Sequence, residues 1–264
     1  MTRVPVKKTY KLFIGGAFPR SESGRTYEAQ DQNVARASRK DVRDAVQAAR
    51  GAQPKWASAT AYNRGQVLYR LAETMETRTD ALAAASSGRR EVARAIDRVV
   101  WYAGWADKLA QVLGSSNPVA GPYFNFTLPE PTGVVAVIAP DEPPLDGLVS
   151  RLVPALVGGN AVVAIASDSH PLAAIELAEA VATSDVPAGV VNVLTGLRSE
   201  LAPVLAGHMD VNAIDVTGAD GDRAALEELA AENVKRVVRA KEDQSPWEIA
   251  SFMELKTVWH PIGR

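Results

Sequence analysis

Residues 134–166, VVAVIAPDEPPLDGLVSRLVPALVGGNAVVAIA, contain the pattern that decides the fold. Two short apolar runs, Val134 to Ala139 and Ala161 to Ala166, bracket a helical segment from Leu145 to Val157. A strand that is apolar on every residue is covered on both faces, as happens when crossover helices lie over a parallel sheet. The alternation continues with a helical segment at Pro171 to Ala182 and apolar runs at Val190 to Leu194, Ala213 to Val216 and Val234 to Val238. Right-handed crossovers place such helices over each face. The expected class is therefore α/β, with a Rossmann-like parallel sheet flanked by helices over residues 132–245.

Upstream, Tyr10 to Ile14 and Ala17 to Phe18 flank Gly15-Gly16, a hairpin signal because paired glycines supply the positive φ of a tight turn. Ser38 with Asp41 is a capping pair that opens a helix carrying Val42, Ala45, Val46 and Ala49 at helical spacing. A second amphipathic segment carries Val67, Leu68, Leu71, Ala72 and Met75. A third is expected from about Glu91 to Leu113, with Ile96, Val99, Val100 and Ala103 facing inward. Residues 1–116 thus read as an N-terminal hairpin and a packed helical part. In residues 117–131, rich in Pro and Gly, Tyr123 to Leu128 alternates as a strand. After a polar stretch from Arg239 to Ser245, the segment 246–264 holds one more expected strand, Phe252 to Trp259. A lone terminal strand needs an edge to pair with, in its own subunit or another.

Composition removes several functions. The net charge of -2 and the absence of a basic face with interleaved aromatics argue against nucleic acid. No apolar run approaches a membrane span, and Met1 to Tyr10 is polar and basic without the apolar stretch of a secretory signal. A cytoplasmic location is expected. The chain has 0 Cys, which excludes disulfides, thiolate metal sites and a cysteine nucleophile within it. His170, His208 and His260 lack ligand spacing, so no metal site is expected. Neither a Gly-x-Ser-x-Gly elbow nor a Gly-x-x-x-x-Gly-Lys loop occurs. Trp101, Tyr102 and Trp105 sit at helical spacing and read as packing.

Several longer motifs occur in a telling order. They are Tyr102-Ala103-Gly104-Trp105-Ala106-Asp107-Lys108, the stretch from Pro131 to Leu145, and Pro154-Ala155-Leu156 before Gly159-Asn160. Gly189-Val190-Val191-Asn192-Val193, His208 to Gly218, and the ending Leu255-Lys256-Thr257-Val258-Trp259 follow. On these motifs the chain resembles the aldehyde dehydrogenase superfamily over nearly its whole length. The resemblance implies a cysteine nucleophile, an Asn amide that holds the oxyanion, a Glu general base and a nicotinamide cofactor.

Position by position, the chain departs from what the resemblance implies. Pro140-Asp141-Glu142-Pro143-Pro144 puts Glu142 where the Asn belongs; its carboxylate would repel an oxyanion, or it is simply a solvated loop residue. Ile165-Ala166-Ser167-Asp168 replaces Lys-Pro-Ser/Ala-Glu, leaving Asp168 as a ribose partner or as a helix cap near Pro171. Gly196 is kept, but the second glycine of the family's Gly-x-Gly is Arg198, a long side chain where backbone approach is needed. Thr217-Gly218-Ala219-Asp220 replaces a Thr-Gly-Ser-Thr that opens a pyrophosphate-binding helix; Asp220 opposes an anion there and is expected to cap the helix. Ala240 stands at the general-base position and cannot move a proton. The sequence then passes to what resembles the family's last strand, implying that the catalytic domain is absent between.

No catalytic residue is expected, and no cofactor beyond a vestigial NAD(P) site at Asp168, Gly196, Thr217 and Gly218. The expected function is that of a pseudoenzyme: a structural or regulatory subunit that pairs with a full-length aldehyde dehydrogenase or with itself. Tyr123, Phe124, Phe126, Phe252, Leu255 and Val258 are the expected interface. The alternatives are an NAD(P)-binding or sensing protein and a residual NAD(P)-dependent oxidoreductase.

Overall fold

A computed structural model describes Val4, residues 7–240 and residues 244–263. Lys241, Glu242 and Asp243, in the polar stretch after the last expected sheet strand, and part of the Met1 to Tyr10 stretch lie outside the described residues.

The chain begins with a small sheet of β1 (Thr9–Tyr10), β2 (Thr26–Ala29) and β3 (Gln32–Ala35). The double-glycine turn forms: Ile14 and Ala17 exchange backbone hydrogen bonds of 2.9 and 3.1 Å, while Gly15 and Gly16 take φ of 62° and 81°. A helical layer follows with α1 (Arg39–Ser58), α2 (Ala61–Thr77), α3 (Thr79–Ala85), α4 (Arg89–Ala103) and α5 (Leu109–Leu113). The Ser38 hydroxyl accepts from the Lys40 and Asp41 amides, and Asp41 accepts from the Ser38 amide at 2.7 Å, which completes the capping box.

The third helical segment is corrected. It breaks at Gly104 into α4 and α5, and Val92, Ala95, Val99 and Tyr102 define the buried face of α4. Val100, one residue further round the helix, is exposed.

Two strands come next, β4 (Ser115–Asn117) and β5 (Tyr123–Pro131). The α/β part then runs β6 (Val134–Ile138), α6 (Pro144–Val157), β7 (Ala161–Ile165), α7 (Pro171–Ala182), β8 (Val191–Leu194), α8 (Arg198–Ala206), β9 (Ala213–Asp215), α9 (Arg223–Ala231) and β10 (Arg236–Val238). Its five strands form a parallel sheet in the order β10-β9-β6-β7-β8. Alternate residues feed two separate cores. Val135, Val137, Val162 and Ala164 pack with residues of α2, α4, α6 and α7, whereas Val134, Ala136, Ile138 and Val163 pack with residues of α1, α8 and α9. This two-sided burial is why the strands read as unbroken apolar runs.

A short helix, α10 (Pro246–Ala250), leads to β11 (Met253–Pro261). The terminal strand finds its edge in its own chain: β11 pairs antiparallel with β5 from Met253↔Pro131 to Pro261↔Tyr123, in a three-stranded sheet ordered β11-β5-β4. Phe252 lies just before the strand and is a core residue with 0% exposure, so its place in the expected interface is corrected. Its carbonyl accepts from the Thr132 amide at 3.2 Å and from Asn160 Nδ2 at 3.0 Å, while Asn160 Oδ1 accepts from the Gly133 amide at 2.8 Å. A single buried Asn160 thereby joins the end of α6, the entry to β6 and the entry to β11.

Candidate functional site

In a doubly wound sheet, ligands bind outside the carboxyl ends of the strands, where the strand order reverses. Here the chain proceeds from β6 outward through β7 to β8, and then returns to the other side of β6 as β9. The loops at this place carry Ala139 to Glu142 after β6, Ser167 and Asp168 after β7, Gly196 after β8, and Thr217 and Gly218 after β9. The four residues expected at a vestigial cofactor site therefore do converge on one end of the sheet.

Two of them, Asp168 and Gly218, are engaged by Arg198, the first residue of α8. Its Nη1 donates to the Gly218 carbonyl at 2.5 Å, and Nη2 donates to the Ala139 carbonyl at 3.0 Å and to Asp141 Oδ1 at 2.9 Å. Asp141 Oδ1 also accepts from the Ser167 hydroxyl at 2.7 Å. Asp168 caps α8, not the helix at Pro171: its two carboxylate oxygens accept from the Arg198 amide at 3.0 and 3.1 Å. Burial raises the Asp168 pKa, nearby Asp141 adds to the shift, and the Arg198 amide and guanidinium oppose it. Burial, followed by the charge of Asp168, also raises the Tyr27 phenol.

The glycines have structural reasons of their own. A Cβ on Gly218 would lie 2.5 Å from the Ala139 and Ile138 carbonyl oxygens, so the loop after β9 is pressed against the end of β6. Gly196 has φ +145°, with Ala37 and Leu201 within 3.2 Å of where a Cβ would stand. The Thr217 hydroxyl accepts from the Ala240 amide at 2.9 Å. Asp220 does not cap a helix; α9 starts only at Arg223, behind Asp222 and the positive-φ Gly221.

Glu142 is the solvated loop residue: it accepts from the Ser87 hydroxyl at 3.3 Å and its side chain is largely exposed. Ser169 Oγ and Glu142 Oε1 both approach His170 Nδ1, at 3.1 and 3.5 Å. A nucleophile relay needs the hydroxyl and the carboxylate on opposite ring nitrogens, which this cluster lacks. Among the described residues, no group of three or more acidic, His or Cys side chains is placed to hold a metal ion.

Sequence reading missed three buried charged groups beside this end of the sheet. Glu91 Oε1 accepts from the Leu145 and Asp146 amides at 2.7 and 2.9 Å, so a residue of α4 caps α6. Arg98 Nε donates to Asp146 at 2.8 Å. Arg151, in the apolar segment of α6, donates to Asp215 and to Glu248, each at 2.6 Å, and lies 5.8 Å from the Phe252 ring. A single Arg within a mostly apolar helix was the available signal, because a buried charge requires a partner.

The model of the "Aldehyde dehydrogenase family" matches residues 26–260. This chain belongs to the aldehyde dehydrogenase family. It is 33% identical to "Aldehyde dehydrogenase, cytosolic 1" of Elephantulus edwardii, an alignment that covers 90% of this chain and 51% of that protein. The solved structure of HpcC from Thermus thermophilus superposes with a TM-score of 0.83 at 30% identity, over 88% of this chain and 48% of its own. PnpE, from Pseudomonas sp. WBC-3 and solved in complex with nicotinamide adenine dinucleotide, gives a TM-score of 0.80 at 31% identity, over 86% of this chain and 50% of its own. The chain thus spans about half the length of the aldehyde dehydrogenase relatives it matches. Among the described residues, no helix is long and apolar enough to cross a membrane.

Proposed function

We propose that this aldehyde dehydrogenase family chain is a non-catalytic, cytoplasmic subunit that assembles with a full-length aldehyde dehydrogenase or with a second copy of itself through the free edge of β11. The observation that carries this reading is a nine-residue outer strand, paired on one side only among the described residues and bearing exposed Leu255 and Trp259. A long strand edge with apolar side chains is a template for another chain. With 0 Cys, the chain brings no thiolate to the chemistry of its family, and Ala240 and Glu142 stand at positions where the resemblance calls for a base and an amide donor.

The geometry of β11 indicates which groups would meet a partner. The Phe252 carbonyl and the Ile262 amide both bond toward β5, so the backbone groups of even-numbered residues face inward. Leu255, Thr257 and Trp259 then present N–H and C=O outward. The expected interface side chains also divide: cross-strand pairing puts Leu255, Trp259 and Tyr123 on one face of the sheet and Val258, Phe126 and Phe124 on the other. Lys256 shares that second face, since it pairs with Leu128 beside Val258.

Native purification followed by mass spectrometry should recover a full-length aldehyde dehydrogenase or a homo-oligomer. Thr257→Pro removes one outward N–H while sparing the β5 ladder, and Pro is tolerated on such an edge. It should release the partner in size-exclusion chromatography, whereas Thr257→Ala should not. A soluble monomer in every case would end this reading. The purified chain should also show no aldehyde oxidation with either nicotinamide cofactor, and turnover abolished by mutating this chain would refute the non-catalytic claim.

A further inference from the structure

We infer that Arg198 is an internal stand-in for a ligand, a plug that closes the crevice at the strand-order reversal and stitches the ends of β6 and β9 together without any bound molecule. The inference concerns this crevice alone and does not depend on the subunit reading.

A dinucleotide placed there would need free donors for its phosphates and free polar groups for its ribose. Several of the candidate groups are already engaged. The amide at the start of α8 donates to Asp168 and the Ser167 hydroxyl donates to Asp141, while the Thr217 oxygen accepts from the Ala240 amide. The Ala139 and Gly218 carbonyls are bridged by one guanidinium, which is mostly buried with its side chain 14% exposed. Asp141 and Asp168 flank it, so anything that displaces the guanidinium meets two carboxylates in place of donors. The residues present therefore do not fit the family's cofactor.

The site is closed by three guanidinium hydrogen bonds, although the buried Arg198 Nε has no hydrogen-bond partner among the described residues. A planar guanidinium is suited to this task, because its fork of donors reaches two carbonyls and a carboxylate at once. The Asp141 carboxylate neutralises it, and the Gly218 backbone approaches β6 too closely to leave a gap. Loss of the second glycine of the family's loop and gain of this plug are the same substitution.

The test compares the wild-type chain with Arg198→Gly and with the double variant R198G/D141N, using NADH fluorescence titration and thermal unfolding. Wild type should show no binding and no shift in melting temperature at millimolar NADH or NADPH. R198G should melt lower than wild type. R198G/D141N, with room made and one carboxylate removed, should bind at least about tenfold more tightly than wild type and regain melting temperature as NADH is added. Micromolar binding by wild type would overturn the inference, and so would a folded double variant that gains no affinity. Hydrogen exchange on the wild-type chain provides a measurement that needs no variant. Amides of residues 139–141, 166–168 and 217–220 should be unchanged by NADH, and protection there would overturn the plug. None of these outcomes bears on co-purification or on the Thr257→Pro result, so failure here and failure of the subunit reading can be told apart.

Discussion

Arg151→Met should lower the free energy of unfolding by about 3–5 kcal/mol, the range for breaking a buried ion pair by removing one partner. Arg151 is 1% exposed, and Asp215 and Glu248 are 0% and 2% exposed, so the variant takes from two core carboxylates the guanidinium that bonds to both. Burial opposes the guanidinium charge, and Asp215 and then Glu248 outweigh it, leaving the Arg151 pKa above its ordinary value. The three residues lie on α6, at the end of β9 and on α10, so the ion cluster clamps the returning chain onto the sheet. Urea unfolding followed by circular dichroism measures the loss. Neutralising the acids as well, in R151M/D215N/E248Q, should recover part of it, because two buried negative charges that Arg151 offset disappear. A loss under about 1 kcal/mol for R151M would show that the cluster is solvated like a surface pair.

The sheet is legible in the sequence because its signal is local and repeated. Five apolar runs correspond to its five strands, and the segment Pro171 to Ala182 is α7 with the expected ends. The capping box at Ser38 and Asp41 is likewise written within four residues. What escapes is set by partners distant in sequence. Asp168 resembles a cap for the helix that follows it directly, yet it caps α8, whose first residue lies 30 positions away. Glu91 opens its own helix and caps another, and nothing near it in sequence announces the amides of Leu145 and Asp146. Val100 follows the buried Val99 directly, and apolar spacing alone does not mark where the buried face of the helix ends. Phe252 reads as the first residue of an exposed strand because apolar alternation does not mark where a strand leaves the core. At the candidate site, the obstruction by Arg198 is readable from one substituted glycine, but its three acceptors are not, since they are spread over two separate loops.

Phe252 and Met253 divide folding from assembly, so two truncations three residues apart should behave differently. A chain ending at Ser251 loses Phe252, and removal of a fully buried Phe side chain costs about 3–5 kcal/mol. It also takes the acceptor from the Thr132 amide and from one N–H of Asn160 Nδ2, whose other bond, to the Ala155 carbonyl, remains, at roughly 1–3 kcal/mol each. Domains of this kind are stable by only about 5–15 kcal/mol, so this chain should be largely unfolded or insoluble. A chain ending at Glu254 keeps Phe252 in the core and Met253 against Gly158. It also keeps the Arg236 contacts to the Ser251 and Met253 carbonyls at 3.3 and 2.6 Å. It should retain the α/β core and its cooperative thermal transition while losing the outward edge of β11. Deletion from Phe252 onward is therefore a poor test of assembly, because core and edge fail together. Circular dichroism melts and size-exclusion profiles of the two chains settle the matter. Equal stability would mean that Phe252 does not anchor the strand, and full-size assembly by the chain ending at Glu254 would mean that β11 is not the surface a partner uses.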